Sequence, residues 1–344
     1  MNPRPFSVDD ALLGRPPEGI DLRCLRVTNA GVSFDERAPD PAAATGLARV
    51  RITRVAVGSP DVLASRGRGN FTGTLGHAGV GVVESTDDAR LAGKRVAISM
   101  VVACGRCDRC RAGLPGHCAS RATRGLAGAE GSLADFLVAP PTGLVALPDN
   151  VDDDDAAFAN ALAGALHACR LVRVETKPYV TVLGDGPVAL LAAQVLARSN
   201  ASVRVLGRHP ARYQLCERWG IKHRAMSEVG LRQDQDVIVD CTGDPVWLGL
   251  GARMLRPRGK IVLKSPPTPA LFETPPLADL SHVLAAEAEI LCAGAGSVAD
   301  AVAALTRRDV DVAPLISRRF RLAQWRAALD AAADHANLMV LVEP

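Results

Sequence analysis

The sequence predicts an α/β protein of two domains, one rich in β-strands and one built on a doubly wound parallel sheet. Three observations predict this fold class. The 344 residues suit two domains of roughly 150 residues each. The composition, 48% hydrophobic and 22% charged, is typical of globular proteins that bury a sizeable core. Near residue 150 the pattern changes from short β-rich runs to alternating strands and helices.

The first part of the chain predicts strands. Apolar runs such as "LRCLRV", "ARVRITRVAV" and "GVGVVES" are separated by connections rich in glycine and proline. Runs of this length bounded by turn residues are typical of β-strands. We therefore expect an all-β or α+β unit before residue 150.

The second part opens with a predicted helix, "VDDDDAAFANALAGALHACRLV", in which Asp152 to Asp155 suit the free N–H groups of a helix start. The strands that follow are "YVTVLG", "SVRVLG", "DVIVDCTG" and "GKIVLKS". Between them lie the helical runs "PVALLAAQVLARS", "ARYQLCERWG" and "VWLGLGARML". This alternation predicts a doubly wound parallel sheet. The stretch "SPPTPALFETPPLADL", at 265–280, predicts a Pro-rich surface loop.

Charge and hydropathy exclude several classes of function. The 40 basic and 37 acidic residues give a formal charge of +3 and form no basic block, so neither nucleic acid nor a membrane surface is an expected partner. The apolar run "VALLAAQVLA" has ten residues, well below the roughly 20 that span a bilayer. The N-terminal segment lacks the apolar stretch of a secretory signal. We expect a cytoplasmic protein.

Four of the nine cysteines form the first chemical motif, "CGRCDRCRAGLPGHC", which contains Cys104, Cys107, Cys110 and Cys118. Gaps of two residues let a tight loop turn successive thiolates toward one point, and four thiolates close the tetrahedral shell of a structural zinc ion. An iron-sulfur run would end in C-x3-C-P, whereas seven residues precede the last cysteine here. The spacing therefore predicts one structural zinc.

The second motif, "VLGDGPVALL", predicts a nucleotide-binding loop. Gly184 and Gly186 form the turn of a G-x-G-x-x-G/A pattern between a strand and a helix. Glycines let the backbone approach a pyrophosphate, and the helix start, with Pro187 and Val188, supplies N–H donors and positive potential. A G-x-G alone is weak, but the flanking strand and helix make this pattern specific.

The end of the next strand, "LGRHP", indicates which dinucleotide binds. An acidic residue there would bind the ribose 2'-hydroxyl of NAD, but Gly207 has no side chain and Arg208 can pair with a 2'-phosphate. NADP(H) is therefore favoured over NAD(H), the alternative being that Arg208 and His209 are merely exposed. Thr242 and Lys264, which follow the later strands, complete the expected cofactor residues, although a lysine at the end of a strand is more often only solvated.

The order of "GHAGVG", the cysteine lobe, the G-x-G-x-x-A strand and "RPRGKIVLKS" resembles the medium-chain dehydrogenase/reductase superfamily, in its zinc-dependent alcohol dehydrogenase-like branch. The resemblance covers the chain from about residue 45 to its end. It implies a GroES-like catalytic domain at 1–149 and 293–344, with the zinc lobe at about 104–118. It also implies a Rossmann domain at 150–292 and an active site between the two.

The family's catalytic zinc site is only partly retained. His77 matches its histidine ligand and Asp61 the carboxylate partner of that histidine. The resemblance places other residue types at four positions: Gly58 for the cysteine ligand, Pro60 for the relay hydroxyl, Ala78 for the glutamate after the histidine, and Asn160 for the carboxylate ligand. Zinc needs about three protein ligands, so a tightly bound catalytic zinc is not expected.

His77 with Asp61, together with Ser59, are the expected proton donors, because histidine titrates near neutral pH. The alternative for His77 is a purely structural pair with Asp61. The preferred function is an NADP(H)-dependent oxidoreductase acting on a small carbonyl, alcohol or activated alkene without catalytic zinc. A zinc alcohol dehydrogenase with atypical ligands and a non-catalytic nucleotide-binding protein are the alternatives. A small-molecule substrate and a homo-oligomer, dimer or tetramer, are expected.

Overall fold

The computed structural model describes residues 22–41, 45–172, 177–265 and 280–344. The chain forms two compact units, one from Met1–Asn160 and Leu315–Pro344, the other from Ala161–Pro314. The predicted Pro-rich loop lies outside the described residues except at its two ends. In the part of the chain that is described, no helix has both the length and the apolar character needed to cross a membrane.

The first unit contains three sheets. The largest has seven strands in the order β11-β6-β5-β3-β19-β18, with β10 also paired to β3; two three-stranded sheets have the orders β2-β1-β4 and β7-β8-β9. The strands of this unit are β1 (Leu22–Thr28), β2 (Gly31–Ala38), β3 (Ala48–Val57), β4 (Gly73–Thr74), β5 (Ala78–Ser85), β6 (Arg95–Ile98), β7 (Val101–Val102), β8 (Ala122–Arg124), β9 (Gly128–Ala129), β10 (Phe136–Ala139), β11 (Leu144–Ala146), β18 (Ile316–Arg321) and β19 (Met339–Glu343).

Short helices complete the first unit: α1 (Ser59–Ser65), α2 (Asp108–Arg111), α3 (Asp153–Ala156) and α10 (Trp325–Ala333). The predicted start of the long helix is confirmed, because Asp152 caps α3 by accepting a hydrogen bond from Asp155 N at 2.7 Å. The helix itself is not continuous. It is interrupted after α3 and resumes as α4 (Ala159–Leu171). A single helix was therefore the wrong prediction for this stretch.

The second unit is a six-stranded parallel sheet in the order β14-β13-β12-β15-β16-β17. The chain passes outward from a central strand on one side and then returns to its other side, which is the doubly wound arrangement of nucleotide-binding sheets. Its elements are β12 (Tyr179–Leu183), β13 (Ser202–Gly207), β14 (Lys222–Ala225), β15 (Gln235–Asp240), β16 (Leu255–Leu263), β17 (Glu289–Cys292), α4, α5 (Pro187–Arg198), α6 (Tyr213–Arg218), α7 (Pro245–Ala252), α8 (Ser281–Ala285) and α9 (Val298–Thr306). The predicted fold class is confirmed.

The compact units differ in extent from the predicted ranges 1–149 with 293–344 and 150–292. Asp153 belongs to the first unit, where Arg95 Nε donates to its carboxylate at 3.0 Å. Helix α9 and the loop after it belong to the second unit, because Asp311 N donates to Gln194 Oε1 at 2.7 Å and its carbonyl accepts from Gln194 Nε2 at 3.2 Å. These long-range polar contacts hold both segments in the compact units named above. The domain ranges 1–149 with 293–344 and 150–292 stay a prediction.

Each unit has its own apolar core. In the first unit the inward faces of β3, β5 and β6 are fully buried, with Val50, Val83 and Ile98 at 0% exposure. In the second unit β12, β13 and β15 bury Leu183, Leu206 and Ile238. Near-continuous burial of parallel strands is expected when helices cover both faces of the sheet.

Candidate functional site

The four cysteines of the predicted zinc lobe lie together in the first unit. Their sulfur atoms are all within 4.8 Å of one another. The Sγ of Cys107 is 3.5 Å from that of Cys110 and 3.9 Å from that of Cys118. Four sulfurs at the Zn–S bond length around one ion are about 3.8 Å apart, so these residues fit a tetrahedral zinc.

Backbone donors favour the thiolate forms at this cluster. Hydrogen bonds from the backbone of Ala119 and Cys110 lower the pKa of Cys107 to about 6. Backbone hydrogen bonds also lower the pKa of Cys104. Burial and contact with neighbouring sulfurs raise the pKa of Cys110 to about 12. Because a thiolate is the form that binds zinc, the lowered pKa values of Cys104 and Cys107 favour zinc binding by these two residues.

His77 and Asp61 are brought together by the pairing of β3 with β5. Ala56 pairs with Ala78 in this ladder, so the turn that leaves β3 lies beside the residue that enters β5. The turn continues into α1, and Asp61 is the third residue of that helix. Its Oδ2 lies 2.8 Å from His77 Nδ1, and its Oδ1 accepts from His77 N at 3.1 Å.

Asp61 is fully buried and serves the backbone as well as the imidazole. Its Oδ2 also accepts a hydrogen bond from Gly58 N at 3.0 Å, which closes the first turn of α1. Burial of the His77 ring opposes a positive charge, but the charge of Asp61 and its hydrogen bond outweigh this effect. The pKa of His77 is therefore raised above its ordinary value of 6.5. The pair can thus hold a proton near neutral pH.

Asn160 is held by main-chain atoms on both sides of its amide. Its Oδ1 accepts from Met100 N, and its Nδ2 donates to Ile98 O, both at 2.8 Å. The residue is 8% exposed, so these two bonds satisfy groups that water does not reach. Asn160 therefore fastens the end of β6. Its oxygen is already used by a backbone donor.

The remaining residues of the family's zinc site offer little to a metal. Gly58 has no side chain, although a Cβ there would meet only Pro60 Cδ, at 3.7 Å. Ala78 is buried in β5. Ser59 is the exposed first residue of α1, and among the described residues no hydrogen bond joins it to His77. In the described part of the chain, the cysteine lobe alone brings three or more potential ligands of this kind together.

In the second unit the predicted glycine loop joins β12 to α5. Gly184 has a φ of +99° and a Cβ there would approach Thr242 Cγ2 to 3.1 Å, so both backbone conformation and space favour glycine. Gly186 is the N-cap of α5, with Pro187 and Val188 as the first helical residues. A Cβ at Gly186 would meet nothing within 4 Å. That open space above a helix start suits a pyrophosphate.

Asp185, the residue between the two glycines, was missed by sequence reasoning. Its Oδ2 accepts from Arg208 N at 2.9 Å and from His209 N at 2.8 Å. Arg212 Nη1 donates to its Oδ1 at 3.0 Å, and His209 Nδ1 lies 3.0 Å from the same oxygen. Burial opposes ionisation of Asp185, but His209 and Arg212 outweigh it and lower its pKa. An acidic residue in this turn was the only local signal.

This carboxylate explains why residue 207 is glycine. A Cβ at Gly207 would lie 2.4 Å from Asp185 Oδ2, closer than real atoms approach. The end of β13 is therefore joined to the glycine loop by an acid that belongs to the loop. Arg212, 6% exposed, neutralises it. Both carboxylate oxygens of Asp185 thus already accept hydrogen bonds from protein donors.

Arg208 extends from the same strand end with its side chain 57% exposed. Its guanidinium lies 4.9 Å from the ring centre of Trp247, and Nη2 is 3.5 Å from Asp244 Oδ2. A stacked, exposed guanidinium of this kind can pair with a phosphate. Asp244 would compete with such a phosphate for the Arg208 guanidinium. His209 lies beside Arg208, but its Nδ1 is committed to Asp185.

Thr242 and Lys264 lie at the carboxyl ends of neighbouring strands. Thr242 Oγ1 donates to Asp240 Oδ1 at 2.6 Å, and burial raises the pKa of Asp240. Burial also lowers the pKa of Lys264, whose Nζ is 3.5 Å from Gly294 O. A Cβ at Gly164 would lie 2.7 Å from Lys264 Cε, so the absence of a side chain at 164 gives the lysine its place. Both predicted residues lie at the end of the sheet where such folds bind ligands.

Residues 44–149 match the alcohol dehydrogenase GroES-like domain family. The chain is 26% identical over 258 residues to the sorbitol dehydrogenase of Halalkalibacterium halodurans, covering 70% of this chain and 73% of that protein. It is 32% identical over 135 residues to the L-idonate 5-dehydrogenase of Vitis vinifera, covering 38% of this chain and 37% of that enzyme. The grape enzyme is thus matched over little more than a third of its length.

Solved structures show the same fold over nearly the whole chain. L-idonate 5-dehydrogenase from Escherichia coli has a TM-score of 0.84 at 21% identity, covering 94% of this chain and 98% of that chain. A chain from Sinorhizobium meliloti solved with NADP bound has a TM-score of 0.82 at 22% identity, covering 94% of this chain and 99% of that one. Residues 44–149 are thus similar to the alcohol dehydrogenase GroES-like domain, and the fold of nearly the whole chain is similar to that of these solved dehydrogenases.

Proposed function

We propose that this chain is an NADP(H)-dependent oxidoreductase that interconverts a small carbonyl or activated alkene and its reduced form without a catalytic zinc. A structural zinc held by the four cysteines is part of the proposal. The observation that carries it is the state of Asn160. Its side chain is bonded to the backbone of Met100 and Ile98, so the position of a carboxylate ligand in relatives holds a structural amide here.

The donor set around His77 supports a metal-free site. Catalytic zinc takes three protein ligands and one open position. His77 has one ring nitrogen bound to Asp61, and Asp61 already accepts hydrogen bonds from Gly58 N, His77 N and the imidazole. With glycine at 58, the described residues offer His77 no second ligand of the usual kind. The residues around His77 do not fit a zinc ion, and the proposed reaction does not use one.

Three features support NADP(H) over NAD(H). Gly207 places no carboxylate at the end of β13, where an acid would repel a 2'-phosphate. Arg208 presents an exposed guanidinium at that point. Asp185, whose carboxylate lies at the strand end, is buried and neutralised by Arg212. Arg208, with Nη2 3.5 Å from Asp244 Oδ2, is the exposed cation that can pair with a phosphate.

The proposed chemistry divides between cofactor and protein. NADP(H), when bound, supplies or accepts the hydride. Asp61 accepts a hydrogen bond from His77 Nδ1 and stabilises the imidazolium. Nε2 has no hydrogen-bond partner among the described residues and is the nitrogen that can pass a proton to a developing oxyanion or carbanion. Reduction of a carbonyl or an enone fits this device better than oxidation of a simple alcohol, which relies on a Lewis acid.

Metal content and turnover test the proposal together. We expect one zinc per chain by elemental analysis, removable only with unfolding of the cysteine lobe. We also expect NADPH oxidation with at least one member of a panel of aldehydes, ketones and enones. Two zinc ions per chain would instead support the atypical alcohol dehydrogenase. Tight NADPH binding with no turnover would support the non-catalytic alternative.

The cofactor preference has its own test. Arg208→Ala should weaken NADPH binding by about tenfold or more, the loss expected for one charge-assisted contact, and leave NADH binding nearly unchanged. Arg198→Ala is the matched control, because Arg198 is similarly exposed on α5 and pairs with Asp309. Equal weakening of both cofactors by Arg208→Ala would contradict the preference for NADP(H).

A further inference from the structure

Arg124 is a buried cation that has no counter-ion among the described residues. It ends β8 and is 3% exposed. Its one side-chain hydrogen bond runs from Nη1 to Glu130 O at a long 3.4 Å, and its Nε is buried without a partner. Burial lowers the pKa of Arg124 to about 10, and no acidic side chain counteracts this effect. The described residues contain no carboxylate that pairs with it.

Arg212 shows how this protein satisfies a buried arginine elsewhere. It is 6% exposed and donates to both the carboxylate and the backbone oxygen of Asp185 at 3.0 Å. The carboxylate nearest in sequence to Arg124 is directed elsewhere, because Glu130 Oε2 accepts from Thr74 N at 2.5 Å. A buried charge without an opposite charge costs several kcal/mol of stability. Residues that break such rules are expected at functional sites.

Arg124 adjoins the loop that carries His77. Its N–H donates to Met100 O at 2.9 Å, and Met100 N is bonded to Asn160 Oδ1. The next residue, Gly125, packs so closely on the same loop that a Cβ there would lie 2.6 Å from Gly76 N. The main chain of Arg124 is thus linked to Asn160 through Met100, and its neighbour Gly125 contacts the residue before His77. The segment that carries Arg124 therefore lies beside the loop of the proposed proton donor.

We propose that Arg124 binds an anionic group of the substrate, so that the substrate class is a carbonyl or hydroxy compound bearing a carboxylate or a phosphate. This inference rests on the proposed function and names the substrate of the same site. The planar guanidinium can donate two parallel hydrogen bonds to either anion, which would satisfy Nε and orient the molecule at once. Binding supplies the opposite charge that the fold lacks.

Thermal unfolding of the full chain tests this inference without turnover. We compare wild type and Arg124→Met in chloride, acetate and phosphate at equal ionic strength. In chloride we expect Arg124→Met to raise the midpoint by about 2 °C or more, since it removes an uncompensated buried charge. Acetate or phosphate should raise the midpoint of wild type by more than that of the variant, whose shift measures the general stabilisation by these salts. Such extra stabilisation by acetate would indicate a carboxylate substrate, and extra stabilisation by phosphate would indicate a phosphate substrate.

Arg212→Met is the matched control. It removes a buried arginine that has a partner, so the midpoint should fall where that of Arg124→Met rises. A lower midpoint for Arg124→Met in chloride would overturn the inference, because Arg124 would then be serving the fold. Equal anion effects in wild type and Arg124→Met, or no anion effect in wild type, would overturn it as well.

A pair of aldehydes that differ only in a terminal carboxylate gives a second measurement. With NADPH as reductant, kcat/KM for the carboxylated aldehyde should fall at least about tenfold in Arg124→Met, while kcat/KM for the neutral aldehyde stays within about twofold. An equal change for both aldehydes would contradict a role in anion binding. If wild type reduces neither aldehyde and no member of the wider panel of ketones and enones, the proposed function fails, whereas the midpoints still decide whether Arg124 binds an anion.

Discussion

Asn160→Asp is a nearly isosteric change whose effect follows directly from the two hydrogen bonds of this side chain. The variant keeps an oxygen that can accept from Met100 N. It replaces the NH2 group that donates to Ile98 O at 2.8 Å with a second oxygen. Two acceptor oxygens then face each other at a site that is 8% exposed. The change also places at 160 the carboxylate that the family resemblance implies for a zinc ligand.

The magnitude follows from the lost bond and the group left without a partner. Loss of a neutral hydrogen bond costs about 1 kcal/mol, and leaving a buried carbonyl unsatisfied adds about 1 to 3 kcal/mol. We therefore expect Asn160→Asp to lower the free energy of unfolding by about 3 kcal/mol at pH 7.5. A protonated carboxyl group can donate to Ile98 O as the amide does. The pKa of Asp at 160 should thus be raised in the folded state above its unfolded value of about 3.9.

The sign of the pH dependence follows from this raised pKa. The folded variant binds its proton more tightly than the unfolded chain, so the loss of stability is small below pH 4 and grows as pH rises through the folded pKa. Urea unfolding followed by circular dichroism at pH 5.0 and 7.5, with wild type at each pH, measures it. Asn70→Asp is the control, since Asn70 is exposed in the same unit.

Two results would refute this reasoning. Wild-type stability of Asn160→Asp at pH 7.5 would mean that the bond to Ile98 O contributes nothing. A second zinc per chain in the variant would mean that the surroundings of His77 remain a functional metal site lacking only a carboxylate. Elemental analysis of the purified variant measures the second outcome directly.

Three further changes give distinct outcomes. Asp61→Asn should lower the pKa of His77, which NMR titration of the imidazole measures. Wild type should lose stability as pH rises from 6.5 through the raised pKa of His77, and the variant should not show this loss. An unchanged pKa of His77 would show that Asp61 does not cause the shift. Asp244→Asn frees Arg208 from a partly exposed pair and should tighten NADPH binding by up to about fivefold in a fluorescence titration; weaker binding would show that Asp244 positions Arg208. Cys110→Ser should reduce zinc from one per chain to nearly none and lower the thermal midpoint; full zinc retention would exclude Cys110 as a ligand.

The sequence predicted those features that depend on short spacings. Strands and helices of the second unit follow from local apolar runs, and the cysteine cluster follows from gaps of two and seven residues. The interrupted helix was not predicted. Asp152 to Asp155 and the apolar residues after them read as one continuous pattern, whereas the chain forms α3 and α4 with a break between them.

Features that depend on distant partners could not be predicted. The amide of Asn160 is fixed by atoms about sixty residues earlier in the chain, and no local pattern shows that a backbone donor already uses its oxygen. Asp185 binds residues at the end of the next strand, which become neighbours only through the parallel pairing of β12 and β13. Whether Arg124 has a carboxylate partner depends on all the residues that pack around it, so no single sequence motif could indicate that it lacks one among the described residues.

The contact between Asp185 and Gly207 also restricts how this protein can evolve. An acidic residue at 207, of the kind that binds the ribose of NAD, cannot be added while Asp185 stays, because its Cβ would lie 2.4 Å from the carboxylate. Removing Asp185 first leaves Arg212 buried without its counter-ion. We expect either substitution alone to lower stability, so a mutational path from the proposed NADP(H) preference to NAD(H) would cross a less stable intermediate. The two positions would then be epistatic, and a lineage that acquires this pair would be hindered from exchanging one dinucleotide for the other.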